Sequence, residues 1–187
     1  MRIISGSAGS IPLLVPRALT RPTTDRVRES IFAVLGDLVQ GARVLDLFAG
    51  TGSLGLEALS RGAVSADFVD SSAAACESVA KNLQKTRLCG GVVHRRDALA
   101  WLSSAPEGRY DLIFADPPYA RDEQEKELLE ALLTSPRLAA SLSPSGLLVL
   151  ETLASAPLPE TTVWIEREAR AYGTTRASFL APRPQTP

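Results

Sequence analysis

Short apolar runs alternating with stretches of helical spacing constrain this 187-residue chain more than any other feature. Val44–Phe48, Ala66–Val69, Gly91–His94, Leu112–Ala115 and Gly146–Glu151 are each apolar and strand-length. The first four are followed by helical patterns. These are Leu54–Ser60, ending near Gly62; Cys76, Val79, Ala80 and Leu83 behind a cap at Ser71 or Ser72; and Ala98–Leu102. The last is Leu128, Leu129, Leu132 and Leu133 behind the capping box Asp122-x-x-Glu125. Apolar strands separated by helices predict a mostly parallel sheet covered on both faces. Thr162–Glu166 and Thr174–Leu180, parted by Tyr172-Gly173, predict an antiparallel hairpin near the C-terminus.

Ahead of this pattern, Arg2–Ser5 and Leu13–Val15 are β-like pieces split by Gly6, Gly9 and Pro12, which predicts a hairpin or extended arm. Thr24 or Asp25 can cap a helix through Val27, Ile31, Val34 and Leu35 that stops at Gly36 or Gly41. The chain thus divides into an extension at 1–40, a main domain at 41–181 and a proline-rich tail at 182–187 expected to be unordered. Apolar residues make up 45% and charged residues 22%, the balance of an ordinary globular protein. No run reaches bilayer length and the N-terminus lacks a signal-peptide core, so no membrane association and a cytoplasmic location are expected. Cys76 and Cys89 form neither a zinc motif nor a disulfide framework, and no metal is expected. A net charge of −1 argues against a protein that coats nucleic acid. Charge is uneven, however: Arg87, Arg95 and Arg96 stand in a stretch without acids, whereas 116–130 is acidic. Any RNA contact is therefore expected on one face.

Parallel sheets of this kind bind ligands at the carboxyl ends of their strands, where strand order reverses. The first strand leads into Phe48-Ala49-Gly50-Thr51-Gly52, a turn that lets backbone approach a ligand closely. The helix that follows presents unpaired N–H groups suited to a carboxylate. Gly50-x-Gly52-x-x-Gly55 also fits a dinucleotide site, and Asp70, closing the second strand, suits a ribose in either case. Asp46 lies inside the expected central strand, where an uncompensated charge costs several kcal/mol. It suits the amino group of a methionine moiety, or else binds nearby loop amides. Asp97, after the third strand, can take an adenine amine with Ala98 N–H beside it, or simply cap a helix.

The fourth strand ends in Asp116-Pro117-Pro118-Tyr119. Two prolines make a rigid turn that aims the Asp116 carboxylate and the Pro117 carbonyl at one spot. An exocyclic base amine is a poor nucleophile, because its lone pair is delocalised into the ring. Two fixed acceptors gripping its hydrogens localise that pair, and such prepositioned dipoles supply much of an enzyme's rate gain. Tyr119 can stack on the base.

In these motifs the chain resembles the RsmD-like family of small-subunit ribosomal RNA guanine-N2 methyltransferases. The resemblance runs from Arg2 to about Leu180, and its most specific block is Arg21-Pro22-Thr23-Thr24-Asp25-Arg26-Val27-Arg28-Glu29. Arg2-Ile3-Ile4-Ser5-Gly6, Asp46–Gly52, Leu56-Glu57-Ala58-Leu59-Ser60-Arg61-Gly62 and Asp116–Tyr119 also carry it. It implies a class I, Rossmann-like α/β methyltransferase fold: a seven-stranded, mostly parallel sheet with a C-terminal antiparallel hairpin and an N-terminal extension. It implies S-adenosylmethionine as methyl donor and small-subunit ribosomal RNA, free or in the assembling 30S subunit, as partner of a monomeric enzyme. Asp46, Phe48, Ala49, Gly50, Thr51 and Gly52 would hold the methionine part, Asp70 and Ser71 the ribose, and Asp97 and Ala98 the adenine. Asp116, Pro117, Pro118 and Tyr119 would grip the target amine. Arg21, Thr23, Thr24, Arg26 and Arg28 would line the cleft and meet RNA. Two features depart from the family pattern: Ser7–Pro12 carries no Lys or Arg where a basic turn is usual, and Asp70 stands where Glu is usual.

A DNA-adenine enzyme would need a recognition domain for which the chain has little room, and a protein-amide enzyme would more typically place Asn at position 116. A nicotinamide oxidoreductase leaves Asp116–Tyr119 without a role, and a non-catalytic RNA-binding factor calls for a stronger basic patch. His94, Cys76, Cys89, Trp101 and Trp164 read as packing residues.

Overall fold

The computed structural model describes residues 1–15, 24–118, 122–156, 158–159 and 161–184. Its strands are β1 (Arg43–Leu47), β2 (Ser65–Asp70), β3 (Gly91–Arg95), β4 (Tyr110–Ala115), β5 (Leu142–Leu153), β6 (Trp164–Tyr172) and β7 (Thr175–Pro182). Its helices are α1 (Asp25–Leu35), α2 (Ser53–Ser60), α3 (Ala73–Thr86), α4 (Ala98–Leu102), α5 (Glu123–Thr134) and α6 (Pro136–Ser141). All seven strands form one sheet in the order β3-β2-β1-β4-β5-β7-β6. The first five are mutually parallel, and β7 runs antiparallel to both β5 and β6. Strand order reverses between β1 and β4, where Asp46 pairs with Phe114 and Leu47 with Ala115.

Side chains alternate across β1 and β4. Val44, Leu112 and Phe114 enter one core with α1, α2, α3 and the N-terminal arm. Leu45, Leu47, Ile113 and Ala115 enter the other with α4, α5 and α6. Thr24 caps α1 through Val27 N, and Gly36 ends it. Asp122 caps α5 by accepting from Glu125 N at 2.9 Å. Among the described residues no helix is long and apolar enough to cross a membrane.

Several expected boundaries move, each for a local reason. β5 begins four residues before Gly146, because its pairing with β4 shifts register between Tyr110 and Leu112, an irregularity that accommodates Pro144. The short helix α6, which the sequence reading did not include, opens at Pro136, since a proline in the first turn costs no hydrogen bond. β6 continues past Glu166 to Tyr172 along a mostly exposed edge whose Glu-Arg-Glu-Ala-Arg-Ala sequence shows no apolar alternation. β7 runs on to Pro182, and Arg183 N still donates to Val163 O, so residues 182 and 183 belong to the sheet's hydrogen-bonded edge and not to the tail expected at 182–187. On α3 the buried edge is Ala75, Ser78, Val79, Asn82 and Thr86, with Ala80 exposed. Polar Ser78 and Asn82 face inward because they bind backbone.

The backbone they bind belongs to the N-terminal arm. It folds back on itself through one antiparallel bridge, Arg2 to Pro12, with Ile3 N donating to Ile11 O at 3.0 Å and Ser10 N to Ile3 O at 2.8 Å. Ile3, Ala8 and Leu13 are buried in the sheet's first core. Glu57 accepts Ile4 N and Ser5 N at 2.7 and 3.0 Å, while Ser60 O and Oγ accept Ser7 N and Ala8 N. Gly6, at φ +82°, passes so close that a Cβ would stand 1.9 Å from Ser60 O.

Candidate active site

The reversal point gathers three acids at neighbouring strand ends. Asp46, 3% exposed, accepts Gly55 N on Oδ2 at 2.9 Å. Burial, reinforced by the charges of Asp116 and Asp70, pushes its carboxyl up to about 8, against the opposing pull of the Gly55 amide. The Asp46 side chain thus binds one amide, in the first turn of α2 and not in the loop, and one amide does not compensate a buried charge. Asp70 ties the glycine turn to the next helix: Oδ2 accepts Gly50 N at 2.9 Å and Oδ1 accepts Ser72 N at 2.8 Å. Each oxygen keeps one further lone-pair direction, enough for a diol.

Between these acids the turn is held in unusual conformations. Gly50 and Gly52 have φ of +55° and +75°, and Phe48, which has a side chain, also sits at +58°. A bulky residue there is costly and marks a segment whose surroundings over-determine it. A Cβ on Gly52 would lie 3.1 Å from both Val79 methyls, and one on Gly55 would strike the Phe68 ring at 2.3 Å. These glycines let α2 start against the sheet with its N-terminal amides beside Asp46. Thr51 is buried, and its carbonyl accepts Asn82 Nδ2.

Asp97 exposes its carboxylate while capping α4, Oδ1 accepting Ala100 N at 2.9 Å; Ala98 is buried beneath it. The cap of α3 is Ser72; Ser71 is exposed beside it. Asp116 follows β4 directly and lies close enough to Asp46 for its charge to raise that carboxyl. Pro117 is buried, and with Pro118, Glu151, Thr152 and Leu153 it lines a hollow reaching Leu129 of α5. Tyr119, Arg21 and Thr23 lie outside the described residues.

The cleft residues of α1 divide. Arg26 is exposed, and Thr24 is exposed at the cap. Arg28 is fully buried, which corrects the expectation that it meets RNA. Its Nη2 donates to Asp25 at 2.9 Å and to Arg2 O, and burial lowers its pKa against the pull of Asp25, Glu57 and Glu151. Arg28 is an internal cation joining the arm, α1, α2 and the end of β5. Glu151, 1% exposed at the fifth strand end, was missed, although the rule that singled out Asp46 applies equally to an acid ending an apolar run. Asn82 was missed too, because a polar residue on an amphipathic helix gives no local sign of facing inward.

Of the residues read as packing, Cys89 is exposed and Cys76 and Trp101 are half-buried. Trp164 is buried with Nε1 donating to Leu133 O at 2.8 Å. His94 bonds Asp67 at 2.7 Å and lies 4.2 Å from the Trp101 ring.

The family model described as Conserved hypothetical protein 95 matches residues 1–181. The candidate rRNA methyltransferase YlbH of Bacillus subtilis is 43% identical over 165 residues, 86% of this chain and 87% of that protein. Ribosomal RNA small subunit methyltransferase D of Haemophilus influenzae is 32% identical, covering 92% of this chain and 89% of that one. Among solved structures, a candidate methyltransferase of Escherichia coli, yhhF, superposes with a TM-score of 0.80 at 30% identity, over 99% of both chains. Sheet order, glycine turn and these relatives agree, and the chain belongs to the Conserved hypothetical protein 95 family, which the resemblance describes as RsmD-like.

Proposed function

We propose that this chain methylates the exocyclic N2 amine of a guanine in small-subunit ribosomal RNA, with S-adenosylmethionine as donor. The observation that carries the reading is the nearness of buried Asp46 to half-buried Asp116 across the β1–β4 reversal, one beside a turn of left-handed glycines and the other before two prolines. The turn fits the donor: Asp46 offers an under-compensated carboxyl to an ammonium, α2 offers N-terminal amides to a carboxylate, and Asp70 keeps acceptor directions for ribose hydroxyls. When bound, S-adenosylmethionine supplies a methyl group already activated on a sulfonium. The chain's own contribution is placement. The Asp116 carboxylate and the Pro117 carbonyl hold the amine hydrogens, and the proton leaves afterwards to Asp116 or water. Tyr119 is the residue assigned to stack on the base, and exposed Arg26 and Thr24, with Arg21 and Thr23, are those assigned to RNA. Asp97 and Ala98 border the adenine, and the enzyme acts as a cytoplasmic monomer.

Incubating the protein with labelled S-adenosylmethionine and either 30S subunits or naked ribosomal RNA tests the reading. Label should appear in N2-methylguanine. Label in adenine or protein, or none at all, overturns it.

A further inference from the structure

Asn82 lies outside every motif yet is completely buried in the middle of α3. Its amide makes three bonds to backbone. Oδ1 accepts Leu14 N at 2.7 Å; Nδ2 donates to Leu14 O and to Thr51 O, each at 3.0 Å. Ser78 Oγ, one turn earlier, adds a bond to Leu14 O at 3.0 Å. Leu14 is the second-last described residue of the arm before the segment that returns at Thr24, and Thr51 is the middle of the glycine turn. Both donor hydrogens are committed, one to each segment, so neither segment can shift without costing the other its geometry. Thr51 Oγ1 also reaches Met1 Sδ at 3.3 Å, a second contact between the same two segments.

We infer that Asn82 is a positioning residue that couples the N-terminal arm to the cofactor turn, so that seating of the arm and binding of S-adenosylmethionine reinforce each other. The inference rests on the proposed function only for the identity of the ligand. Coupling of this kind is reciprocal: whatever orders the arm tightens the cofactor, and the bound cofactor orders the arm by the same factor.

The test uses Asn82→Ala, which cuts both links, and Ser78→Ala, which cuts only an arm-side bond. Cofactor affinity is measured by calorimetry, and backbone amide exchange is followed in the ligand-free protein. Asn82→Ala should weaken S-adenosylmethionine binding by about fivefold or more, and Ser78→Ala should weaken it in the same direction by less. Amides of residues 49–52 should exchange faster in both variants, although Ser78 does not touch the turn. Should Asn82→Ala fold poorly, Ser78→Ala alone decides. Unchanged exchange at 49–52 in Ser78→Ala, with only arm amides affected, overturns the coupling. If the unaltered protein binds no S-adenosylmethionine, the proposed function fails, while the exchange result still judges the coupling by itself.

Discussion

A carboxyl held near pH 8 inside a sheet is a liability that a ligand can remove. With Asp46 raised from an ordinary carboxylate value to about 8, the folded chain holds a proton that the unfolded chain has lost between about pH 4 and 8. Stability from this group is therefore greatest at low pH and falls as pH rises through that window. Asp46→Asn should abolish the fall, making the variant about 1–3 kcal/mol more stable than the parent at pH 8 and no better near pH 4, by urea titration. The same proton must leave when a cationic amine pairs with the carboxylate. Cofactor binding should tighten from pH 6 to 8 and release a proton, detectable as a heat that varies with the ionisation enthalpy of the buffer. Asp116 has the opposite assignment. Asp116→Ala should lower kcat by about a hundredfold to a thousandfold, as for loss of a transition-state contact, while the calorimetric affinity for cofactor changes far less. If both fall together, Asp116 is a cofactor ligand.

Among the elements, α1 separates two arginines that a linear reading treats alike. Arg26 and Arg28 stand in one motif, but a helix turns about 100° per residue, and two positions carry a side chain from solvent to interior. Arg28→Ala removes a fully buried side chain whose charge offsets those of Asp25 and of buried Glu57 and Glu151, and should cost about 3–5 kcal/mol in denaturant unfolding. Arg26→Ala should leave stability within about 0.5 kcal/mol while raising KM for RNA. Legibility across the elements follows the same logic. Strands buried on both faces, such as β1 and β4, declare themselves by composition, and α4 was read to its ends because Asp97 caps it. The exposed half of β6 and the irregular start of β5 carry no such signal, since their pairing is decided by neighbours. Asp46 and Asp116 were legible because a charge in or just after an apolar run has few bland explanations; Glu151 met the same rule and went unread. Glu57, Ser60 and Asn82 were not, because what makes them polar and buried lies more than fifty residues away.

Across the whole molecule, net charge stays near zero, and one cation of the most specific motif is spent inside the protein. Arg87 caps the far end of α3, away from Arg95 at the carboxyl end of β3, so the basic stretch does not act as one patch. RNA affinity should therefore depend only weakly on salt. A slope of log K against log salt near −2, about three phosphate contacts on a single strand, is the expected outcome. A slope several times steeper would show an additional basic surface at work.

The arm brings a matter of timing. Its hydrogen-bond acceptors Glu57, Ser60 and Asn82 follow it by 52 to 68 positions. At ordinary synthesis rates the arm is made about 3–14 seconds before the last of them. For that interval Ile3, Ala8 and Leu13 have no completed core to enter, and the arm must wait for residues that follow it by more than fifty positions.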